Sequence, residues 1–407
     1  MSLHKRSPGL RGERFSVFGN RSRISYILSV TNSSFNILLT DSADMYGGGQ
    51  FFVFELAKAL LLRNHSVVVS CKPNNSLRER CDRSNIPVAP LDFPPKGQLL
   101  RFISELQRII RSNKIQIIHT NNNYDRTAGA FAAWRAGIAH VTNVHSFQSI
   151  QYNLTHRLRN KMMIDRFLAD GASLRSLLVN HDGIPASKVS VFYHGVNPEE
   201  MRRDEHLRQA VRVQLGFTEQ EVVIGHVGRF VQMKGQEYLL NAFSDAVRTF
   251  PNARLVLVGD GELREELVLL SQALGIDRRV TFTGFREDLQ ALYSSFDLYV
   301  QSSIEGGGET ISFAVQQALA QELPVIVTRT GDVAENVREG INGFVVPDRN
   351  ASAIAEKLRV LLANSSLREE MGKQGRNYLL ERFTTTHMVT AVEEAYREVL
   401  NDRKSSS

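Results

Sequence analysis

The chain has 407 residues, 42% of them hydrophobic and 23% charged, which suits a globular protein of two ordinary domains with real cores. It has no apolar run long enough to span a bilayer. Its two cysteines, Cys71 and Cys81, make neither a disulfide framework nor a metal cluster, so a reducing cytoplasm is the expected setting. The net charge of +6 is uneven: residues 1–34 hold six Lys/Arg against one acid, residues 35–205 hold 21 against 15, and residues 206–407 hold 22 against 27. A basic first half suits either a solvated surface or contact with an anionic membrane.

Residues 1–34 read as a basic leader without fixed structure. Their one apolar burst, at 24–30, is short for a signal-peptide core, and an upstream start codon is an alternative origin. From Phe35 strands and helices alternate. Strands are predicted at 36–40, 66–71, 115–119, 139–144, 166–169 and 189–192, with helices at 52–63, 99–111, 127–136 and 173–180. The alternation restarts after a join near 200–220. Strands follow at 222–227, 253–258, 280–282, 298–301, 324–327 and 343–346. Helices are predicted at 236–249, 262–274, 287–295, 312–320, 351–364, 366–381 and 385–401. This order predicts an α/β fold of two doubly wound, Rossmann-like domains, with a ligand cleft between them beyond the strand C-termini. The expected division is 35–205, 206–384, and a helix at 385–401 that could cross back to the first domain.

Two loops of the second half carry the chemistry. Residues 305–312 read Glu-Gly-Gly-Gly-Glu-Thr-Ile-Ser and open a helix. Free backbone N–H groups and the positive end of a helix dipole there suit a diphosphate, and a carboxylate in the same loop suits sugar hydroxyls. Residues 228–235 read Gly-Arg-Phe-Val-Gln-Met-Lys-Gly directly after a strand. Arg229 offers a planar fork and Lys234 a point charge, both suited to phosphate oxygens. His145 follows the strand at 139–144, a position that suits the cleft; His119 could face the same cleft. His194 reads as a turn residue near the interdomain join, and Asp260 as a turn former between two glycines. No paired-Cys, HxxxH or HExxH element suggests a metal.

Together, Gly228-Arg229 with Lys234-Gly235, Val258-Gly259-Asp260-Gly261, Gly284-Phe285 and the eight-residue spacing from Glu309 to residue 317 resemble the retaining glycosyltransferases of family 4, which have the GT-B fold. Gly47-Gly48-Gly49-Gln50, His145 and His194-Gly195-Val196-Asn197 fit the same pattern, so the resemblance runs from about Phe35 to the C-terminus.

The resemblance implies that Arg229 and Lys234 bind the donor diphosphate and that Glu309 contacts the transferred sugar. It implies that the amides of Thr310 and Ile311 touch phosphates, that residue 317 holds the ribose, and that His145 borders the reacting sugar. Gly48 and Gly49 would approach the donor or acceptor closely. Gly228, Gly284 and Gly308 would let the donor loops approach, and Phe285 would pack near the base or in the core. Two features depart from the family pattern. Residue 317 is Gln rather than Glu, which removes charge assistance from a ribose bond. Glu305 competes with Glu309 for the sugar, though spacing favours Glu309.

The expected activity is transfer of a sugar from a nucleoside-diphosphate sugar to a glycan or lipid-linked acceptor. It would be retaining and need neither metal nor cofactor, and it would serve cell-surface polysaccharide, lipopolysaccharide or glycolipid synthesis. The expected place is the cytoplasm, with a peripheral membrane contact through the basic N-terminal half and no nucleic-acid partner. No carboxylate of the first domain stands out as a nucleophile. A GT-B phosphorylase, a sugar-nucleotide epimerase and a non-catalytic nucleotide-sugar-binding module are the alternatives. A Rossmann oxidoreductase is disfavoured, because no Gly-x-Gly-x-x-Gly follows the first strand.

Overall fold

The structure is a computed structural model that describes residues 34–43, 47–93, 99–151, 153–306 and 308–405. The basic leader expected over 1–34 lies, but for Ser34, outside these residues, as does Gly307 of the glycine-rich loop.

The first half is built from β1 (Asn36–Asp41), α1 (Gly48–Leu62), β2 (Ser66–Cys71), α2 (Ser76–Arg83), α3 (Leu99–Ser112), β3 (Ile117–Thr120), α4 (Asn123–Ala136), β4 (Ala139–Val144), α5 (Leu154–Met162), β5 (Arg166–Asp170), α6 (Ala172–Ser176) and β6 (Val189–Phe192). Its strands form one parallel sheet in the order β2-β1-β3-β4-β5-β6. β3, β4 and β5 are buried along their whole length, polar residues such as His119, His140 and Asn143 included.

The second half comprises α7 (Glu205–Gln214), β7 (Val222–Val227), α8 (Gln236–Ala246), β8 (Ala253–Val258), α9 (Arg264–Ala273), β9 (Val280–Gly284), α10 (Leu289–Ser295), β10 (Leu298–Gln301), α11 (Phe313–Ala320), β11 (Val325–Thr328), β12 (Gly343–Val346), α12 (Ala351–Ala363) and α13 (Ser365–Arg382). Its parallel sheet runs β12-β11-β10-β7-β8-β9. The sequence pattern left 200–220 as a join, but α7 fills much of it and packs on α10. There Arg208 and Arg212 each reach Asp297, at 2.7 and 2.5 Å. The pattern also missed α2 and most of α5, whose polar composition hides helical periodicity.

The last helix, α14 (Thr385–Ser405), lies on the first sheet. Met388, Val389, Val392, Tyr396 and Val399 join its core with α1, and Glu393 binds Arg63 and His65 at 2.9 and 3.0 Å. The chain thus passes between the sheets twice, and the two passages meet: Val196 N–H donates to the Phe383 carbonyl and Thr385 N–H to the Val196 carbonyl. In each sheet the strand order reverses at one point, between β1 and β3 and between β7 and β10. Crevices open beyond the strand ends at such points.

Candidate active site

On the second sheet, the loops after β7 and β10 hold each other. Ser302 Oγ donates to the Lys234 carbonyl at 2.9 Å and Ile304 N–H to the Met233 carbonyl at 2.9 Å. Gly235 has φ +60°, and a Cβ there would overlap the Ser302 carbonyl, so only glycine lets the loops lie so close. Lys234 Nζ therefore meets Glu309, donating to its two carboxylate oxygens at 2.9 and 2.8 Å. Arg229 is exposed on the same loop. The Ser312 hydroxyl caps α11 through the Val315 N–H, while the N–H groups of Thr310 and Ile311 have no acceptor among the described residues. Gln317 is only 5% exposed, and its amide has no partner among them either.

Of the remaining candidates of this half, Gly228 lies beside the Lys234 side chain. The Gly228 N–H is tied to the Val258 carbonyl, and Gly284 accepts from the Gly259 N–H. Phe285 is 61% exposed, which removes the core position for it. Glu305 is exposed; its N–H is held by Asp348 at 2.9 Å and its carbonyl by Arg349, while Glu309 is the loop carboxylate on Lys234.

On the first sheet the crevice between β1 and β3 is a closed polar network. Asn121 donates through Nδ2 to Asp41 Oδ2 at 2.7 Å and to the Gly49 carbonyl at 3.1 Å. Its Oδ1 is thereby an acceptor, and it lies 2.6 Å from His145 Nε2, so that nitrogen carries the proton. His145 Nδ1 sits 3.6 Å from Asp170 Oδ2, an ion-pair distance rather than a hydrogen bond. The same Asp170 oxygen lies 2.6 Å from His194 Nε2 and accepts from Thr310 Oγ1 of the other half at 2.8 Å. Burial raises the Asp170 carboxyl, but the two imidazoles, His194 foremost, outweigh it and hold it below its usual range. Burial lowers His145, with Asp170 opposing.

The two walls touch. Phe147 N–H donates to the Gly308 carbonyl at 3.3 Å, and Thr310 Oγ1 also reaches the His145 carbonyl at 3.2 Å. Phe313, at the start of α11, stacks on His194 at 4.2 Å between ring centroids and lies beside Gly48 at the start of α1. His194 in turn stacks on His145 at 5.3 Å.

One sequence expectation needs correction, and two residues of the site lie beyond the sequence reading. His119 does not face the cleft: it is 2% exposed, its Nδ1 is 2.6 Å from the Tyr396 hydroxyl of α14, and burial holds it down at about 4. His194 lies in the loop after β6 that approaches the join, and it is also a buried member of the site. Asp170, which ends a buried strand after Phe167-Leu168-Ala169, is a member of the network that the sequence reading missed. A charged residue closing an apolar run at a strand C-terminus is the signal that could have found it.

His145, Asp170 and His194 also place three potential metal-ligand atoms within 4.8 Å of one another, a cluster the sequence gave no hint of. A zinc ion about 2 Å from each ligand needs them roughly 3.3 Å apart. The 2.6 Å His194–Asp170 hydrogen bond is shorter than that spacing, while Asp170 Oδ1, His145 Nδ1 and His194 Nδ1 are buried without a hydrogen-bond partner among the described residues.

Comparison with known proteins agrees with this architecture. Residues 208–378 match the model of glycosyl transferases group 1, and residues 46–200 match that of glycosyltransferase family 4. An uncharacterized glycosyltransferase of Methanocaldococcus jannaschii is 24% identical over 84% of this chain and 92% of its own. The lipopolysaccharide core biosynthesis glycosyltransferase LpsE of Rhizobium meliloti is 32% identical over 44% of this chain and 49% of its own. HepE of Anabaena, solved with UDP and with UDP-glucose, superposes with a TM-score of 0.79 at 21% identity; 89% of this chain is covered, and 100% and 99% of that one in the two complexes. Two facing doubly wound sheets with the loops of β7 and β10 at their meeting point define a GT-B glycosyltransferase. The chain belongs to glycosyltransferase family 4, the glycosyl transferases group 1.

Proposed function

We propose that the enzyme is a retaining, metal-independent glycosyltransferase that moves a sugar from a nucleoside-diphosphate sugar to a glycan or lipid-linked acceptor. The observation that carries this reading is the Lys234–Glu309 pair beside the unbonded N–H groups of Thr310 and Ile311. A cation, a carboxylate and free amides at a helix start are what a diphosphate joined to a sugar needs. Donor binding would exchange the ion pair for two others: Lys234 to phosphate, and Glu309 to sugar hydroxyls. Arg229, exposed on the same loop, would join Lys234 in countering charge on the departing diphosphate.

Gln317 would hold the ribose and Phe285 would border the base. Gly228, Gly284 and Gly308 would let the donor loops approach, and Gly48 and Gly49 would let α1 approach from the other wall. His145 would border the reacting sugar with its nitrogens already turned to Asn121 and Asp170. The C1–phosphate bond would break as an acceptor hydroxyl bonds to C1 from the same face, its proton passing to the leaving phosphate oxygen. Asp170, 1% exposed with Oδ2 already engaged, is unsuited to act as a covalent nucleophile.

LpsE supports a place in cell-surface polysaccharide or lipopolysaccharide synthesis, and HepE supports a nucleotide-sugar donor. The reading puts the enzyme in the cytoplasm at the inner membrane face. No helix among the described residues is long and apolar enough to cross a membrane. On α5, however, Leu154, Leu158 and Met162 stand exposed at four-residue spacing with Arg157 and Lys161 exposed beside them, a face suited to anionic lipid. The test is turnover of UDP-, GDP- and ADP-sugars in excess EDTA, with the anomeric configuration of the product read by NMR. Retained configuration in EDTA is expected. An inverted product, or activity restored only by manganese, would overturn the reading.

A further inference from the structure

The turn between β5 and α6 reads Asp170-Gly171-Ala172-Ser173, and two loops of the second half close on it. Asp170 Oδ2 accepts from Thr310 Oγ1 at 2.8 Å. In return Asp332 accepts the N–H of Ser173 at 3.0 Å and that of Leu174 at 3.4 Å. The approach is tight: Gly171 has φ +121°, and a Cβ there would overlap the Asp332 carboxylate. One residue earlier, a Cβ on Gly331 would overlap the Glu309 carbonyl, so the Asp332 loop rests on the backbone of Glu309. Beyond it, Glu335 accepts the Tyr193 hydroxyl at 2.6 Å, a third bond from the same loop back across.

Asp170 and Asp332 are 1% and 2% exposed. Buried carboxylates cost several kcal/mol unless paired and hydrogen-bonded. Asp332 draws its bonds from Ser173 and Leu174 of the first half, and Asp170 draws one of its from Thr310 of the second, so both lose partners when the walls part.

We propose that Asp170 and Asp332 are positioning residues that form a reciprocal clasp and set the Glu309–Ile311 loop against the first domain. Each acts through Glu309 and the amides that follow it. The clasp rests on the glycosyltransferase reading only for its activity readout.

The test therefore begins with a distance. Spin labels are placed on cysteines introduced at exposed Arg111 and Glu370, one on each half. Cys71 and Cys81 are buried, and their thiols are pushed up to about 12, so they will not compete. Double electron–electron resonance on the full chain should give one dominant distance. Asp332→Ala and Asp170→Asn should broaden it and move it outward, with Asp332→Asn intermediate because it keeps one acceptor oxygen. A thermal melt confirms that each variant is folded. An unchanged distribution in folded Asp332→Ala and Asp170→Asn overturns the clasp, whether or not any donor is turned over.

The second readout uses UDP and whichever donor sugar turns over. Asp332→Ala should lower kcat tenfold or more while the Kd for UDP changes less than threefold, since the nucleotide needs only the second domain. An equal loss in both would mean that the donor loop has collapsed, which contradicts a positioning role.

Discussion

The two walls of the cleft are built on opposite principles. The wall from the second domain leaves donors unspent: exposed Arg229, two amides with no acceptor among the described residues, and a lysine whose Nζ is held among them by a carboxylate that a ligand can displace. The wall from the first domain turns its side chains on one another, in a chain running Asp41–Asn121–His145–Asp170–His194, and leaves only buried atoms such as Asp170 Oδ1 and His194 Nδ1 without a partner among the described residues. The first arrangement is made to be completed by an anion; the second is made to hold a shape. Replacements should accordingly harm turnover on one wall and stability on the other.

The largest effect should come from Lys234→Ala and Arg229→Ala. Each removes a cation from the leaving diphosphate, at roughly a hundredfold or more in kcat. The melting temperature of Arg229→Ala should barely change, since that side chain is exposed; near-wild-type turnover in both would dissolve the distinction between the walls. Next, Glu309→Gln should lose far more turnover than Glu305→Gln, because only Glu309 reaches Lys234. If Glu305→Gln is the crippled variant, the register of the loop is wrong.

Acidification should act through packing. Burial holds His119 at about 4, His140 at about 3 and His226 at about 4, all below the ordinary 6.5 of an unfolded chain. Between those values the unfolded state binds more protons, so stability is lost as pH falls from about 6.5 toward 4, by up to about 1.4 kcal/mol per unit for each group. Asp125, pushed up to about 7 by burial, keeps its proton when folded and opposes the trend from about 7 to 4. Three groups against one leave a net loss, so melts at pH 5 should fall below those at pH 7.5; a rise would contradict the neutral buried state of these imidazoles.

Asn121→Ala should unfold in less denaturant, by about 1–3 kcal/mol, because Asp41 and His145 lose a buried partner. An unchanged midpoint would show the first wall to be less self-supporting than described. Smallest is Gln317→Glu, expected to keep or tighten donor affinity a few-fold, since a charged acceptor bonds a hydroxyl more strongly. Weaker binding would place residue 317 elsewhere than at the ribose.

The same contrast explains what could be read from the sequence. The second wall is written in short contiguous stretches, 228–235 and 305–312, where glycines and charges declare themselves. The alternation of strands and helices likewise made the two-sheet fold legible. The first wall is gathered from the ends of β1, β3, β4, β5 and β6, and nothing local in Asp170 or His194 announces that they meet. His119 misled for a related reason: its partner, Tyr396, lies 277 residues away on a helix that returns from the other half. The polar helices α2 and α7 escaped because their buried faces are narrow, and α7 is held partly by arginines on Asp297 rather than by an apolar stripe.

The central claim is that the second wall binds a nucleoside diphosphate and its sugar. Calorimetric titration of the whole chain with UDP, GDP and ADP in EDTA, alongside Lys234→Ala, tests it most directly. The account predicts that at least one of the three binds without metal and that its Kd weakens tenfold or more in the variant. Absence of binding by all three, or equal affinity in the two proteins, would contradict it.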